Sequence, residues 1–219
     1  MGEPWPGEGA ERGFDEEELE ELAADGDAEI EDADEDAADE DELPKLRGPR
    51  EHAAGELDVP SGVNLIEGEP VGSRRGVGIV AARFNGEITN RMLDAALDEL
   101  ERAGVARQAV TVMIVPGAFE LPLGAMALAK TRRFACVVAL GCVIRGETPH
   151  FDYVASEAAS GLQLAGLETG VPVAFGVLTV DNVDQAEARV AKGAEAVRTA
   201  LEMADAFSQL RSSATATAP

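Results

Sequence analysis

The chain has 219 residues and a formal net charge of −24. The first 70 residues hold 26 of its 42 acidic residues and four of its 18 basic residues, so that segment alone carries −22. The remaining 149 residues are therefore nearly neutral, which gives no electrostatic reason to bind nucleic acid or an anionic membrane.

The first 70 residues combine dense Asp and Glu with Gly, Pro and Ala. Such a composition cannot bury enough apolar surface to offset the entropy of ordering, so we expect a disordered acidic extension over residues 1–70. Within it, FDEEELEELAA at 14–24 favours a solvated acidic run over a short partner-binding helix. We expect the extension to limit assembly or to bind a basic protein partner, which deletion of residues 1–70 and weighing of the particle tests.

From about residue 75, short apolar runs alternate with longer stretches of helical period. The runs predict strands at 76–84, 109–115, 134–144 and 172–180. Each run is nearly continuous in apolar character, as in parallel strands that helices cover on both faces. The order βαβαβαβα predicts an α/β domain over residues 71–211, a three-layer sandwich around a four-stranded parallel sheet, followed by a disordered tail at 212–219.

Helices are predicted between the strands and after the last one. The first has an apolar stripe and Gly104 as its end, and the stripe comprises Ile88, Met92, Ala96, Leu100 and Ala103. The others are predicted at 119–131, at 149–170 and, as one long helix, at 183–210. Because four strands leave two exposed sheet edges, we expect an additional strand from residues near 60–75 or neighbouring subunits that cover the edges.

Cys136 and Cys142 lie in the same predicted strand, separated by about 20 Å at about 3.3 Å per residue, which is too far for a disulfide. We expect both to be reduced core residues. With two histidines and two buried cysteines, no metal site is expected. The longest apolar run, 134–144, is too short to cross a membrane, so a cytoplasmic protein is expected.

Ligands of open α/β sheets bind where the strand-to-helix loops converge, at the carboxyl ends of the strands. The third such loop, RGETPH, predicts Thr148 as N-cap, Pro149 at the first helical position and His150 in the first turn. Gly146 lets the backbone approach a phosphate at this helix N-terminus. The partial positive charge there favours a neutral imidazole that accepts protons, although position alone equally allows a histidine that only helps to cap the helix.

The other loops carry weaker candidates. Phe84 and Asn85 could stack on and fix a flat heterocycle, although Asn is also a favoured N-cap. Glu120 could accept hydrogen bonds from hydroxyl groups or simply match the helix dipole. Phe175 lies inside a strand and is more often core than contact, while Arg189 and Lys192 fit either phosphate binding or a solvated face.

Two glycine-containing segments fail as nucleotide motifs. GAMALAKT at 124–131 lies at the end of a helix and not in a strand-loop-helix turn, and GVGIVA lacks the third glycine and lies in the strand itself. Neither supports a nucleotide cofactor, and no cofactor is expected.

Taken together, RFNGEIT, VPGAFELP, ALGCVIRGETPHFDYVA and GVLTVDN, in this order, strongly resemble the lumazine synthase family over about residues 74–210. The resemblance implies a flavodoxin-like fold and a transferase of riboflavin biosynthesis. That reaction condenses 5-amino-6-(D-ribitylamino)uracil with 3,4-dihydroxy-2-butanone 4-phosphate to 6,7-dimethyl-8-ribityllumazine and releases phosphate. The resemblance further implies homopentamers with sites between neighbouring subunits, which in some members build sixty-subunit icosahedral shells.

By resemblance, Phe84 stacks on the pyrimidine, Asn85 and Glu120 hold the ribityl chain, and the backbone around Val143 and Ile144 reads the pyrimidine edge. Phosphate would lie at Gly146, Glu147 and Thr148 with Arg189, while His150 shuttles protons and Phe175 reaches a neighbour's site. The implied substrate-binding set also includes Gly117, Ala118, Phe119, Cys142 and Lys192. The family usually has Ser or Thr at the position of Ala118, so one ribityl contact would fall to the backbone.

An alternative from a different class is a non-catalytic member that binds flavin or lumazine, or a shell subunit whose acidic tail recruits basic cargo. The presence of His150, Arg189 and Glu120 favours the enzyme over this alternative.

Overall fold

The computed structural model describes residues 57–216, and residues 1–56 and 217–219 lie outside the described part. The predicted short helix at 14–24 and most of the predicted acidic extension therefore fall outside it. The described chain contains four strands, β1 (Val77–Ala82), β2 (Val110–Val115), β3 (Cys136–Ile144) and β4 (Val173–Val180). Its α-helices are α1 (Gly86–Arg102), α2 (Leu121–Lys130), α3 (His150–Thr169), α4 (Val183–Glu187) and α5 (Lys192–Ala216).

The strands form one parallel sheet in the order β2-β1-β3-β4. Val77 is in register with Val110 on one side and with Cys136 on the other, so β1 and β3 are the two central strands. The predicted α/β class, the four-stranded parallel sheet and the three-layer arrangement are confirmed.

Alternation of side chains along the strands divides the core between two faces. Val77, Ile79 and Ala81 pack with α1 and α5, whereas Val80 and Ala82 pack with α2 and α3. Since successive residues of a strand point to opposite faces, a strand covered on both sides is apolar at every position, which explains the continuous apolar runs. Cys136 and Cys142 are free, buried thiols, as expected.

The prediction of a single final helix over 183–210 is wrong. The chain forms α4 and α5 with a turn between them, in which Arg189 N–H donates to Ala186 O and Lys192 N–H to Arg189 O. These are i→i+3 hydrogen bonds, which belong to a tight turn and not to a continuing α-helix. The turn brings Gly193 against α1, where a Cβ at Gly193 would lie 2.2 Å from the Met92 carbonyl oxygen. α5 also runs on to Ala216, beyond the expected end of the domain at residue 211.

An additional strand near residues 60–75 is not formed in this part of the chain. Residues 67–75, which we call the leading segment, lie along α5 instead, and Asp205 holds them there. Its carboxylate accepts hydrogen bonds from the Glu69 N–H at 3.1 Å, from Gln209 Nε2 at 2.8 Å and from Arg75 Nη2. Gly68 passes so close to α5 that a Cβ would lie 1.9 Å from the Glu202 carbonyl oxygen. Among residues 57–216, this contact with a helix leaves the two sheet edges without a further strand.

Asp205→Asn should lower the free energy of unfolding at pH 7 by about 2 kcal/mol, because it weakens a mostly buried charge-assisted hydrogen bond. Burial would by itself raise the pKa of Asp205, but the hydrogen bonds from Arg75, Glu69 and Gln209 and the charge of Arg75 lower it. A carboxylate with a lowered folded-state pKa stabilises the fold above the ordinary aspartate pKa of about 3.9, and the effect is lost as the pH falls through the folded-state value.

Urea unfolding of the wild type and of Asp205→Asn, from pH 7 down to about pH 3, measures this difference. It should shrink steadily towards acid. Asp98→Asn, on the exposed face of α1, is the matched control and should change stability little at either pH. A loss of the same size at both ends of the pH range would contradict the assigned role of the Asp205 carboxylate.

Candidate functional site

The carboxyl ends of β1, β2 and β3 surround a cavity of about 570 Å³. This volume lies within the range of small-molecule sites, roughly 300–1,000 Å³. Twelve of the sixteen residues that the sequence singled out line it, and these are Phe84, Asn85, Gly117, Ala118, Phe119, Glu120, Cys142, Val143, Ile144, Gly146, Thr148 and His150.

The loop after β1 contributes an aromatic ring and an amide. Phe84 is 70% exposed, so its ring has a free face at the rim of the cavity. Asn85 has a left-handed backbone, with φ 57° and ψ 42°, and stands in the N-cap position of α1 without capping it. Its Nδ2 donates instead to the Cys142 carbonyl oxygen at 2.9 Å. The capping interpretation of the Asn85 side chain is therefore wrong, because the amide hydrogen-bonds to β3 instead.

The loop after β2 contributes a carboxylate. Backbone hydrogen bonds from Arg83 N–H to Val115 O and from Phe84 N–H to Pro116 O tie this loop to the one after β1. Gly117 is extended, and the chain then makes one 3-10 turn over Ala118–Glu120 before α2 begins. A Cβ at position 117 would lie 3.2 Å from Glu120 Oε2, so glycine leaves room for the carboxylate to fold back over the loop.

The loop after β3 carries the histidine. α3 begins at His150, and Pro149 occupies the N-cap position with φ −64° and ψ −1°. The prediction that Thr148 is the N-cap is therefore wrong. The first turn begins one residue later, with an i→i+3 hydrogen bond from Asp152 N–H to Pro149 O. No side chain caps this helix, so the amino end of α3 and its partial positive charge face the cavity beside the exposed His150.

Cys142 borders the cavity, and its buried side chain belongs to the core cluster that packs against α1 and α5. Burial raises the pKa of this thiol to about 11. The group is therefore neutral near pH 7 and behaves as a small apolar surface, not as a nucleophile.

Four predicted site residues lie elsewhere. Glu147 belongs to the loop after β3 but does not line the cavity. Phe175 is 47% exposed on β4, so its interpretation as a core residue is wrong. Phe175 and Lys192 border a second, smaller cavity of about 130 Å³, in which Lys192 Nζ lies 2.6 Å from Glu195 Oε2. Arg189 Nη1 donates to the Gln185 carbonyl oxygen at 2.9 Å.

Three lining residues were missed by the sequence reasoning, namely Phe151, Tyr153 and Val154. Tyr153 and Val154 follow His150 by three and four residues, a spacing that places side chains on the same face of a helix. That spacing could have identified Tyr153 and Val154 from the sequence.

Comparisons with known proteins agree on one family. The family model described as 6,7-dimethyl-8-ribityllumazine synthase matches residues 75–208. The 6,7-dimethyl-8-ribityllumazine synthase of Syntrophus aciditrophicus (strain SB) is 48% identical over 151 residues, which cover 67% of this chain and 98% of that relative. The protein of the same name from Protochlamydia amoebophila (strain UWE25) is 50% identical over 143 residues, which cover 63% of this chain and 83% of the relative.

Asn85→Ala should lower the free energy of unfolding by about 2 kcal/mol, since it removes the bond to Cys142 and keeps a Cβ in a left-handed backbone that Ala tolerates less well than Asn. Asn85→Gly removes the same bond but suits the backbone, so it should lose about 1 kcal/mol less. Urea unfolding of the two variants separates the backbone effect from the amide effect. Equal stability of the Ala and Gly variants would show that the left-handed conformation of residue 85 is not maintained.

Proposed function

Since the chain belongs to the 6,7-dimethyl-8-ribityllumazine synthase family, we propose that the cavity at the carboxyl end of its sheet is where the two substrates of that reaction meet. The chain is a transferase of riboflavin biosynthesis. It joins 5-amino-6-(D-ribitylamino)uracil to 3,4-dihydroxy-2-butanone 4-phosphate, and the products are 6,7-dimethyl-8-ribityllumazine, phosphate and two molecules of water.

One observation carries the proposal. A single cavity gathers an exposed aromatic ring, a carboxylate, the backbone at the end of β3 and the uncapped amino end of a helix with a histidine on its first turn. The ring and the strand backbone suit a flat heterocycle, the carboxylate suits a chain of hydroxyls, the helix end suits a phosphate, and the histidine suits proton transfer. All four chemistries are needed by the two substrates and by the reaction.

The substrate that carries the ribityl chain lies at the β1 and β2 side of the cavity. Phe84 stacks on its pyrimidine, and the backbone of Val143 and Ile144 pairs with the pyrimidine edge. Glu120 accepts hydrogen bonds from ribityl hydroxyls. Because one N–H of the Asn85 amide is committed to Cys142, its Oδ1 and its second N–H are the groups that remain for the ribityl chain.

The four-carbon phosphate lies against the amino end of α3. Gly146 and Thr148 line the cavity and supply backbone N–H groups, with Glu147 between them in the same loop. The absence of a capping side chain at this helix leaves room for the phosphate oxygens. His150 stands next to this position and moves protons as the amine attacks the ketone, water leaves, phosphate is eliminated and the second amine closes the ring. Every step transfers protons and none transfers electrons, so positioning and one acid-base group suffice.

A neighbouring copy completes the site. Phe175, Arg189 and Lys192 do not line the cavity of their own chain, and Phe175 is 47% exposed, which supports their entering the cavity of an adjacent subunit. The edge strand β2 supports such an assembly, because Val112, Met113 and Ile114 are exposed apolar residues on an edge that no other strand of residues 57–216 pairs with. The proposed oligomer is a pentamer or a multiple of it, up to a sixty-subunit shell.

Two further points stay predictions. A basic protein partner of the acidic extension concerns residues that lie mainly outside the described part, and comparing particle mass and partner binding with and without residues 1–70 tests it. Among residues 57–216 no helix is long and apolar enough to cross a membrane. The cytoplasmic location is checked by fractionation.

His150→Ala should lower kcat about 100-fold, because it removes the acid-base group of the cavity, while KM for both substrates changes less than about threefold. The measurement is the fluorescence of the lumazine product during steady-state turnover. No product above the uncatalysed rate from the wild type would refute the proposed site function.

Glu157→Gln, on an exposed part of the same helix, is the control and should turn over at the wild-type rate. Unchanged kcat in His150→Ala would remove this histidine from the mechanism while leaving the synthase activity in place.

Mixed oligomers test the shared site. His150→Ala and Arg189→Ala should each be impaired alone, but co-expressed subunits should regain activity, because about one quarter of the sites then pair an intact His150 with an intact Arg189 from the neighbour. Lumazine formation per subunit is measured for the mixture and for each variant. Activity no greater than the average of the two variants would place both residues in the site of one chain.

A further inference from the structure

Arg145 occupies the junction between β3 and the loop that leads to α3. Its backbone N–H donates to the Val180 carbonyl oxygen at 2.9 Å, which continues the pairing of β3 with β4 by one residue. Its position is therefore fixed by the sheet, while the four residues that follow it, 146–149, form the loop at the phosphate side of the cavity.

The guanidinium of Arg145 makes three contacts that reach beyond this loop. Nη1 lies 3.2 Å from Asp152 Oδ1 on the first turn of α3, and Nε lies 3.3 Å from Asp181 Oδ1 directly after β4. The guanidinium carbon also lies 4.1 Å from the centroid of the Phe151 ring. One planar group thus joins the ends of two strands to the first turn of α3, on which His150 is held.

Arg145 is not among the residues that line the cavity. Its positive charge is matched by two carboxylates within ion-pair distance, so little of it is left for an anion in the cavity. Phe151, in contrast, does line the cavity and lies against the guanidinium. The contacts of Arg145 therefore act on the shape of the cavity through its neighbours.

In the part of the chain that the structure describes, no side chain caps the amino end of α3, and Gly146 adds no side chain to the loop. The Arg145 side chain is 45% exposed, so each ion pair contributes little to the stability of the fold. A displacement of a reacting group by about 1 Å, however, can cost about 100-fold in rate. Geometry of the site, more than stability, is what these contacts control.

We propose that Arg145 is a positioning residue of the condensation reaction, which sets the distance between His150 and the phosphate-binding loop by clamping the first turn of α3 to the ends of β3 and β4. The inference rests on the proposed assignment of the phosphate to that loop. The planar fork matters as well as the charge, because it contacts two carboxylates and an aromatic face together, which an ammonium group cannot do.

The test compares the steady-state kinetics of Arg145→Gln with those of Arg133→Gln. Arg133 is the matched control, since it too lies beside an aromatic ring, that of Phe134 at 5.9 Å, but at the opposite end of the β3 region. Arg145→Gln should lower kcat about tenfold and raise KM for the four-carbon phosphate about threefold, with KM for the pyrimidine within about twofold of wild type. Inorganic phosphate should inhibit it about threefold less strongly, and Arg133→Gln should match the wild type in all these values.

Two further variants separate positioning from charge. Arg145→Lys keeps the charge but should regain only part of the lost kcat, and Arg145→Gln with Asp181→Asn should be no slower than Arg145→Gln alone, because the two residues act as one clamp. Full activity in Arg145→Lys, or unchanged kinetics in Arg145→Gln, would overturn the positioning role. In either case, Thr148→Pro, which removes a loop N–H, tests the phosphate assignment separately. If the wild type is active and inorganic phosphate inhibits Thr148→Pro less strongly, the phosphate assignment itself still stands.

Discussion

The hydrogen bond from Asn85 Nδ2 to the Cys142 carbonyl oxygen joins the loop after β1 to the end of β3, the two strands at the centre of the sheet. It holds only because the strands are parallel and in register, so that their carboxyl ends meet at one edge. The backbone bonds from Arg83 to Val115 and from Phe84 to Pro116 attach the end of β2 to the same point. Every group of the cavity is placed relative to these three strand ends.

The charge that the cavity presents depends on which charged groups near it are already paired. Asp152 and Asp181 pair with Arg145, and Lys192 pairs with Glu195, so these charges satisfy one another outside the main cavity. The amino end of α3 receives no side-chain cap and faces the cavity with its partial positive charge. The amino end of α3 is thus the part of the cavity whose partial charge favours an anion.

The opposite face of the sheet is covered by helices and contributes packing to the core. There α1 and α5 pack on each other, with the first turn of α5 pressed against the Met92 carbonyl through Gly193, and Asp205 fixes the leading segment along α5. The leading segment consequently lies over a helix and not beside the sheet, and Val112, Met113 and Ile114 of β2 stay exposed. Within the described part of the chain, the arrangement that completes the core therefore leaves apolar side chains of β2 exposed.

Sequence alone determined the four strands, the helices between them and most of the residues that line the cavity, because a strand covered on both faces must be apolar at every position and because parallel strands bring their following loops to one edge. It could not determine the turn between α4 and α5, where helix-forming residues such as Ala188 and Ala191 continue without interruption, and close packing on α1 decides the break. Nor could it decide between a cap and a cross-strand bond for Asn85, since both satisfy the amide and only the position of the Cys142 carbonyl selects one. Nor could the sequence assign a role to Arg145, because its partners Asp152 and Asp181 are brought together only when β3 and β4 pair.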